Sequence, residues 1–422
     1  MKKFLFAALL VSTSLLMAQN LNGRFSTSLY TFERYSAPEV SETYVRSFSS
    51  LYFNLNKDNI SLRTRFNLET DLANAQVNDP RLRFYNLYVE ARDLFDVATV
   101  KLGRQSLFNG IAGGVYDGVN LQLRHSIFKL EGFYGGNVPA YQKLELTDDL
   151  SNDYVLGGEL TAYPHDNLRI ALNYTDKNFK AQDYDAIRLN EFNVLDTVLI
   201  KRASNQFKFL GGEVSYHLPQ IVELNTRYHY DLNFSQTSKF EISGRYSQIK
   251  DFGISLYYNY REPKIRYNSI FSVFNVSNSQ EIEAGLDYKF SDFITAYGKF
   301  GNVTYEDDES QRLSLGVNTT LGSVSYRKTF GYAGELDAFS IYTARTFAKG
   351  FVTPSIGITY TSYKLSEDAE TNNLLAVLAG VNIRPWKKLS FDLQGQFVNN
   401  KIYDNDFRIL FKINHWFNTN FD

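Results

Sequence analysis

The feature that most restricts this chain is a two-residue period. From Phe252 to Arg261, the residues Phe252, Ile254, Leu256, Tyr258 and Tyr260 are interleaved with Gly253, Ser255, Tyr257, Asn259 and Arg261. The same period runs through 281–290, where Ile282, Ala284, Leu286, Tyr288 and Phe290 alternate with Glu281, Glu283, Gly285, Asp287 and Lys289. It returns at Leu389, Phe391, Leu393 and Phe397, interleaved with Ser390, Asp392, Gln394 and Gln396. Successive side chains of an extended strand point to opposite faces, so each segment becomes a ribbon with one apolar and one polar side. Roughly twenty such segments of about 9 to 13 residues follow one another without a helical period between them, as a closed transmembrane barrel requires. A sheet on a soluble core also alternates, but a sandwich of this size does not explain so long an uninterrupted series.

The opening residues carry Lys2 and Lys3, an apolar run from Phe4 to Leu10 and on to Leu16, then Ala18. This is the pattern of a secretory leader, so residues 1–18 are expected to be cleaved and 19–422 to form a single barrel domain. Beyond the leader no run of about 18 apolar residues offers a transmembrane helix, and any membrane crossing falls to strands. The 30 Tyr and 34 Phe, 16% aromatic residues in all, suit the girdles that such barrels place at both water interfaces. With no cysteine, an exported chain holds neither a disulfide framework nor a thiolate metal site. A formal charge of −2 argues against nucleic acid as a partner.

Connections alternate in length as well. Tight turns are expected at Lys57-Asp58-Asn59, Leu94-Phe95-Asp96, His125-Ser126, Pro164-His165-Asp166, Leu218-Pro219-Gln220, Ser291-Asp292, Leu321-Gly322-Ser323, Ala348-Lys349-Gly350 and Pro385-Trp386-Lys387. Longer polar pieces at 71–81, 105–116, 136–152, 177–204, 263–279 and 364–373 read as loops, the last but one despite strand-like Ile270, Ser272 and Phe274. Short periplasmic turns and long extracellular loops characterise outer-membrane barrels. The count is about 18–22 antiparallel strands, best 22, in an all-β up-and-down barrel with both termini in the periplasm. The last segment alternates Phe407, Ile409, Phe411 and Ile413 with Arg408, Leu410, Lys412 and Asn414 and ends in aromatics. It resembles the terminal signal read by the barrel assembly machinery. That machinery, outer-membrane lipid and lipopolysaccharide are therefore expected partners.

If the apolar phase faces lipid, Arg63, Arg65, Arg83, Arg92, Lys101, Arg124 and Lys129 face the lumen, because a cation on the lipid side costs about 2–4 kcal/mol near the midplane. Glu69, Glu90 and Glu131 on that phase offset part of the charge. Later strands bring Glu213, Glu223, Asp231, Glu241, Glu281, Glu283 and Asp287 inward, against Arg227, Arg245, Arg261 and Lys289. The expectation is a lumen with a basic wall opposite an acidic one. Such charges influence selectivity where a pore narrows.

From Tyr85 to Arg124 the chain runs through Leu102-Gly103-Arg104-Gln105, a Gly-rich loop and Tyr116-Asp117-Gly118-Val119. This stretch resembles the alginate-export family of outer-membrane porins. The resemblance implies a loop folded toward the pore, lumenal arginines that meet an anionic polysaccharide, and roles for Arg104, Gln105 and Asp117 beside Arg63, Arg65 and Arg124. The expected function is passive diffusion of small polar or anionic solutes, saccharides among them. No cofactor is expected, since Walker, HExxH and EF-hand spacings are all missing. Two alternatives stay open: a barrel lipase or protease, for which His229 beside Asp231 is the one suggestive pair, and a closed structural barrel.

Overall fold

The computed structural model describes residues 19–421, apart from 38–39, 76–78, 109–112, 139–145, 181, 190–193, 203–205, 264–276, 307, 332–333, 366–368 and 402–404. The expected leader, 1–18, lies outside the described residues, as do parts of the 71–81, 105–116, 136–152, 177–204, 263–279 and 364–373 segments. The strands are β1 (Asn20–Ala37), β2 (Val40–Lys57), β3 (Ile60–Asp71), β4 (Arg81–Leu94), β5 (Ala98–Phe108), β6 (Gly113–His125), β7 (Phe128–Val138), β8 (Tyr154–His165), β9 (Leu168–Asn178), β10 (Gln182–Leu189), β11 (Leu195–Arg202) and β12 (Gln206–Leu218). They continue as β13 (Val222–Asp231), β14 (Gln236–Tyr246), β15 (Phe252–Arg261), β16 (Ser279–Ser291), β17 (Ile294–Tyr305), β18 (Asp308–Thr319), β19 (Gly322–Gly331), β20 (Leu336–Ala344), β21 (Val352–Tyr363), β22 (Asn372–Trp386), β23 (Leu389–Asn399) and β24 (Asp406–Asn420).

Twenty-two of these strands pair antiparallel with their neighbours in a single sheet. The sheet closes where β24 pairs with β1, from Asn20 opposite Asn420 to Tyr30 opposite Leu410. Closure satisfies every strand edge, which is the condition for a sheet to sit in hydrocarbon. β1 and β24 begin and end at the short-turn rim, as an even-numbered barrel demands.

The predicted alternation is realised. Leu256, Ile282 and Leu286 stand on the outer face, each more than half exposed, while their polar neighbours face inward. Outward apolar side chains left open in this way form the belt that acyl chains cover. Between β15 and β16 the strands pair directly up to Arg261 opposite Ser279, and 264–276 of the expected loop lie outside the described residues.

One loop differs from expectation. The 177–204 segment contains β10 and β11, which pair with each other and with no barrel strand. Ile187, Val198 and Leu199 are exposed here, and the pair adds nothing to the wall among the described residues.

Candidate functional site: the lumen and its inward hairpin

Residues opposite one another in adjacent strands share a face, so the register carries the lumenal surface around the ring. Along one row Arg24 opposes Tyr52, Tyr52 opposes Arg65 and Arg65 opposes Asn86. Arg65, Arg83, Arg92, Lys101 and Arg124 all lie on this lumenal phase, as the sequence implies. Arg24, on β1, joins them. Its neighbours in sequence, Asn22 and Ser26, gave no charge pattern to reveal it.

These six cations have no ion-pair partner among the described residues. The Arg65 guanidinium stands 5.6 Å from the centre of the Tyr85 ring, and Arg92 Nη2 donates to Ser61 Oγ at 3.2 Å. Arg124 adjoins the short-turn end of β6, and Arg83 lies near the long-loop end of β4. Uncompensated positive charge therefore extends from one mouth toward the other. Arg63 is different: its Nε lies 2.6 Å from Glu90 Oε2, so it contributes a pair rather than a free cation. Lys129 is likewise held by Glu131 at 3.1 Å.

The acidic side departs from the expected picture, because its carboxylates are threaded between cations. Glu213 receives Arg169 at 2.9 Å on one oxygen and Arg227 at 3.1 Å on the other. Arg169 also reaches Glu159 at 3.1 Å, and Arg227 reaches Glu241 at 3.4 Å, where Lys239 adds a contact at 2.7 Å. The result is one chain of alternating charge across β8, β9, β12, β13 and β14. A second chain links Lys299, Glu283, Arg312 and Glu281 at 2.5–3.1 Å. Asp287 takes Arg245 at 2.8 Å. Glu223 lies opposite Arg245 in the ladder and accepts from Asn225. Asp231 accepts the backbone N–H groups of Asn233 and Phe234 and so caps a turn at the long-loop rim.

Periodicity missed this interdigitation because Arg169, Glu159 and Glu213 lie on three different strands. Their meeting depends on register, which no single strand encodes.

The LGRQ and YDGV stretches hold a different surprise. Gly103, Gly118 and Gly135 are direct partners across β5, β6 and β7 and form a row without side chains on the lumenal face. A Cβ at Gly118 would strike the Tyr134 carbonyl, and one at Gly135 the carbonyl of Asp117, so this crease requires glycine. Above it, β5 no longer pairs with β4, whose last partner is Leu87 opposite Arg104.

The upper part of the β5–β6 hairpin reaches inward over β7 and β8 to β9. There, Lys177 Nζ donates to the Gly113 carbonyl at 2.9 Å. Beneath the hairpin Leu107, Tyr116, Phe133 and Val155 form a buried apolar cluster. Beside it opens a lumenal recess of about 570 Å³ bounded by Tyr88, Lys101, Gln105, Asn120, Arg169 and Asn173, among others.

Arg104 and Asp117 form a pair of their own. Register puts both on the phase of Leu102 and Val119, on the other side of the sheet from Gln105 and Tyr116. Arg104 is only 5% exposed, and its Nε and Nη2 donate to the two Asp117 carboxylate oxygens at 2.8 and 2.7 Å. The fork-to-fork pair braces β5 against β6 just above the crease. Gln105 does face inward, where its amide donates to the Gly118 carbonyl at 3.2 Å and Tyr116 donates to its Oε1 at 3.4 Å. His229 is fully buried between Gly211 and Lys239, well inside the wall.

The closed 22-strand ring with its apolar outer belt and charged interior is the architecture of outer-membrane β-barrel proteins. No protein-family profile matches the sequence, and no curated protein does. Among solved structures, a mutant of the ferric enterobactin receptor PfeA from Pseudomonas aeruginosa superposes with a TM-score of 0.58 at 10% identity, covering 95% of this chain and 81% of that one. The P pilus usher PapC translocation pore gives 0.49 at 9% identity, over 96% and 100% of the two chains. OccAB4 of Acinetobacter baumannii gives 0.45 at 9%, over 96% and 99%. At such identities the likeness is one of fold.

Proposed function

We propose that the protein is a passive channel of the bacterial outer membrane, with the short turns in the periplasm and small polar solutes as its cargo. Anions, acidic saccharides included, are the favoured solutes. The observation that carries this reading is the uneven charge of the lumen: Arg24, Arg65, Arg83, Arg92, Lys101 and Arg124 lack ion-pair partners among the described residues, while Glu213, Glu241, Glu281, Glu283 and Asp287 are each paired with a cation. Free cations beside a narrowing raise the local concentration of anions and lower it for cations. The inward β5–β6 hairpin supplies the narrowing, and the neighbouring recess lies in the size range of small-molecule sites, about 300–1,000 Å³. The reading assigns no bond chemistry to the barrel and needs no cofactor.

The test is a reversal potential across planar bilayers under a salt gradient. The native channel should prefer chloride over potassium. A barrel with Arg65, Arg83 and Lys101 all replaced by Ala should lose most of that preference. A folded protein that conducts nothing, or an unchanged potential in the triple variant, would overturn the proposal.

A further inference from the structure

We infer that Lys177 is a positioning residue for the inward hairpin: its ammonium on β9 holds the Gly113 end of β6 over β7 and β8, and so sets how far this end of the hairpin stands into the lumen. The inference rests on the channel reading only for its effect on current. The latch itself is a matter of geometry.

Gly113 and Lys177 are separated by 64 residues, and two strands, β7 and β8, stand between β6 and β9 in the sheet. Neighbouring strands lie about 4.8 Å apart, so three strand spacings span roughly 14 Å, more than a lysine side chain reaches along the wall. The bond at 2.9 Å therefore requires Gly113 to lean over the interior.

The place for the ammonium is shaped on both sides. Lys177 is 8% exposed, and its Nζ lies 4.8 Å from the centre of the Phe179 ring. Gly114 has φ +141°, and a Cβ there would approach that same Nζ to 2.9 Å. Glycine at 114 thus leaves room for the cation and adopts a backbone that other residues disfavour.

The rest of the hairpin is not fixed by this contact. Its root is held by the Arg104–Asp117 pair, and its middle by the cluster of Leu107 and Tyr116 on Phe133 and Val155. Above that cluster β6 remains paired with β7 as far as Val115 opposite Val138, and beyond this, among the described contacts, Gly113 meets the wall through Lys177. Since the ladder of β6 with β7 does not depend on this contact, loss of the latch should free the Gly113 end of the hairpin without unfolding the barrel.

The experiment uses the full chain, whose lack of cysteine makes it a clean background for labelling. Spin labels go on Gly113→Cys at the tip and Ser314→Cys on the lumenal face of β18, and the distance distribution between them is measured by pulsed electron resonance. The native residue and Lys177→Arg should give one narrow distribution. Lys177→Met, with similar length and no donor, should broaden it, and so should Gly114→Ala, which crowds the ammonium from the other side. Single-channel conductance should rise roughly twofold in Lys177→Met, with added open-state noise, because a pore is limited at its narrowest ring.

A narrow distribution in both Lys177→Met and Gly114→Ala overturns the latch, whatever the currents show. A broadened distribution with unchanged conductance upholds the latch and instead removes the hairpin from the conducting path. Failure of Lys177→Met to fold, seen as loss of heat-dependent gel mobility, leaves Gly114→Ala to decide the same question.

Discussion

The two sides of the lumen carry similar residue types and behave differently. From β8 to β18, arginine and glutamate meet in chains, so that Glu213 lies between Arg169 and Arg227, and Glu283 between Lys299 and Arg312. From β1 to β6, Arg24, Arg65, Arg83, Arg92, Lys101 and Arg124 face the same water without an ion-pair partner among the described residues, although Lys101 stands opposite Glu90 in the ladder. Paired charges hydrate a wall and cancel much of one another's field. Unpaired ones project their field into the pore. Composition does not separate these cases, because the difference lies in which residues are opposite which, and it is this difference that a permeating ion senses.

The most forceful way to break the comparison is to invert the unpaired side. Arg65→Glu with Arg83→Glu exchanges two free cations for two free anions, and the channel should pass from anion to cation preference, read as a change in sign of the reversal potential. Next comes ionic strength. The Debye length falls from about 10 Å at 0.1 M salt to about 3 Å at 1 M, so selectivity due to unpaired charges should fade steeply over that range. A preference that persists at 1 M would place its source in direct solute contacts. A smaller effect is expected from Glu213→Gln, which removes the carboxylate shared by Arg169 and Arg227 and turns part of the balanced side basic. Anion preference should increase. Stability should change by about 1 kcal/mol or less, since both arginines remain partly solvated and Arg169 and Arg227 keep Glu159 and Glu241.

Much of the wall was legible in the sequence because a barrel strand writes its two faces into alternate positions. The pattern at Phe252–Arg261 predicted which side chains face lipid, and the ring of turns predicted the strand number. What a single strand cannot encode is its register against the next, and the missed features all depend on register. The glycine crease consists of Gly103, Gly118 and Gly135, unremarkable one by one and meaningful only as ladder partners. Arg104 and Asp117 were legible as a motif but not as a pair, and the structure joins them in a brace between β5 and β6. Lys177 fell at the start of a presumed loop, and its partner was 64 residues away. The β10–β11 hairpin shows the converse limit, since a segment read as a loop holds paired strands outside the barrel wall.

The smallest effect, and the sharpest test of the distinction between paired and unpaired charge, is expected at Arg63. It sits on the basic side, among residues with free charge, but its Nε is 2.6 Å from Glu90 Oε2, and the Glu90 side chain is only 9% exposed. Arg63→Ala alone removes a positive charge and bares a negative one, so anion preference should fall modestly. Adding Glu90→Gln removes the bared carboxylate as well, and the double variant should return to the native reversal potential within error. Arg65→Ala with the same Glu90→Gln should not show this compensation, because Arg65 leans on Tyr85 and has no carboxylate to release. If the Arg63→Ala, Glu90→Gln channel stayed as shifted as Arg63→Ala, then Arg63 would act on permeating ions as a free cation, and pairing would no longer be what separates the two sides of the lumen.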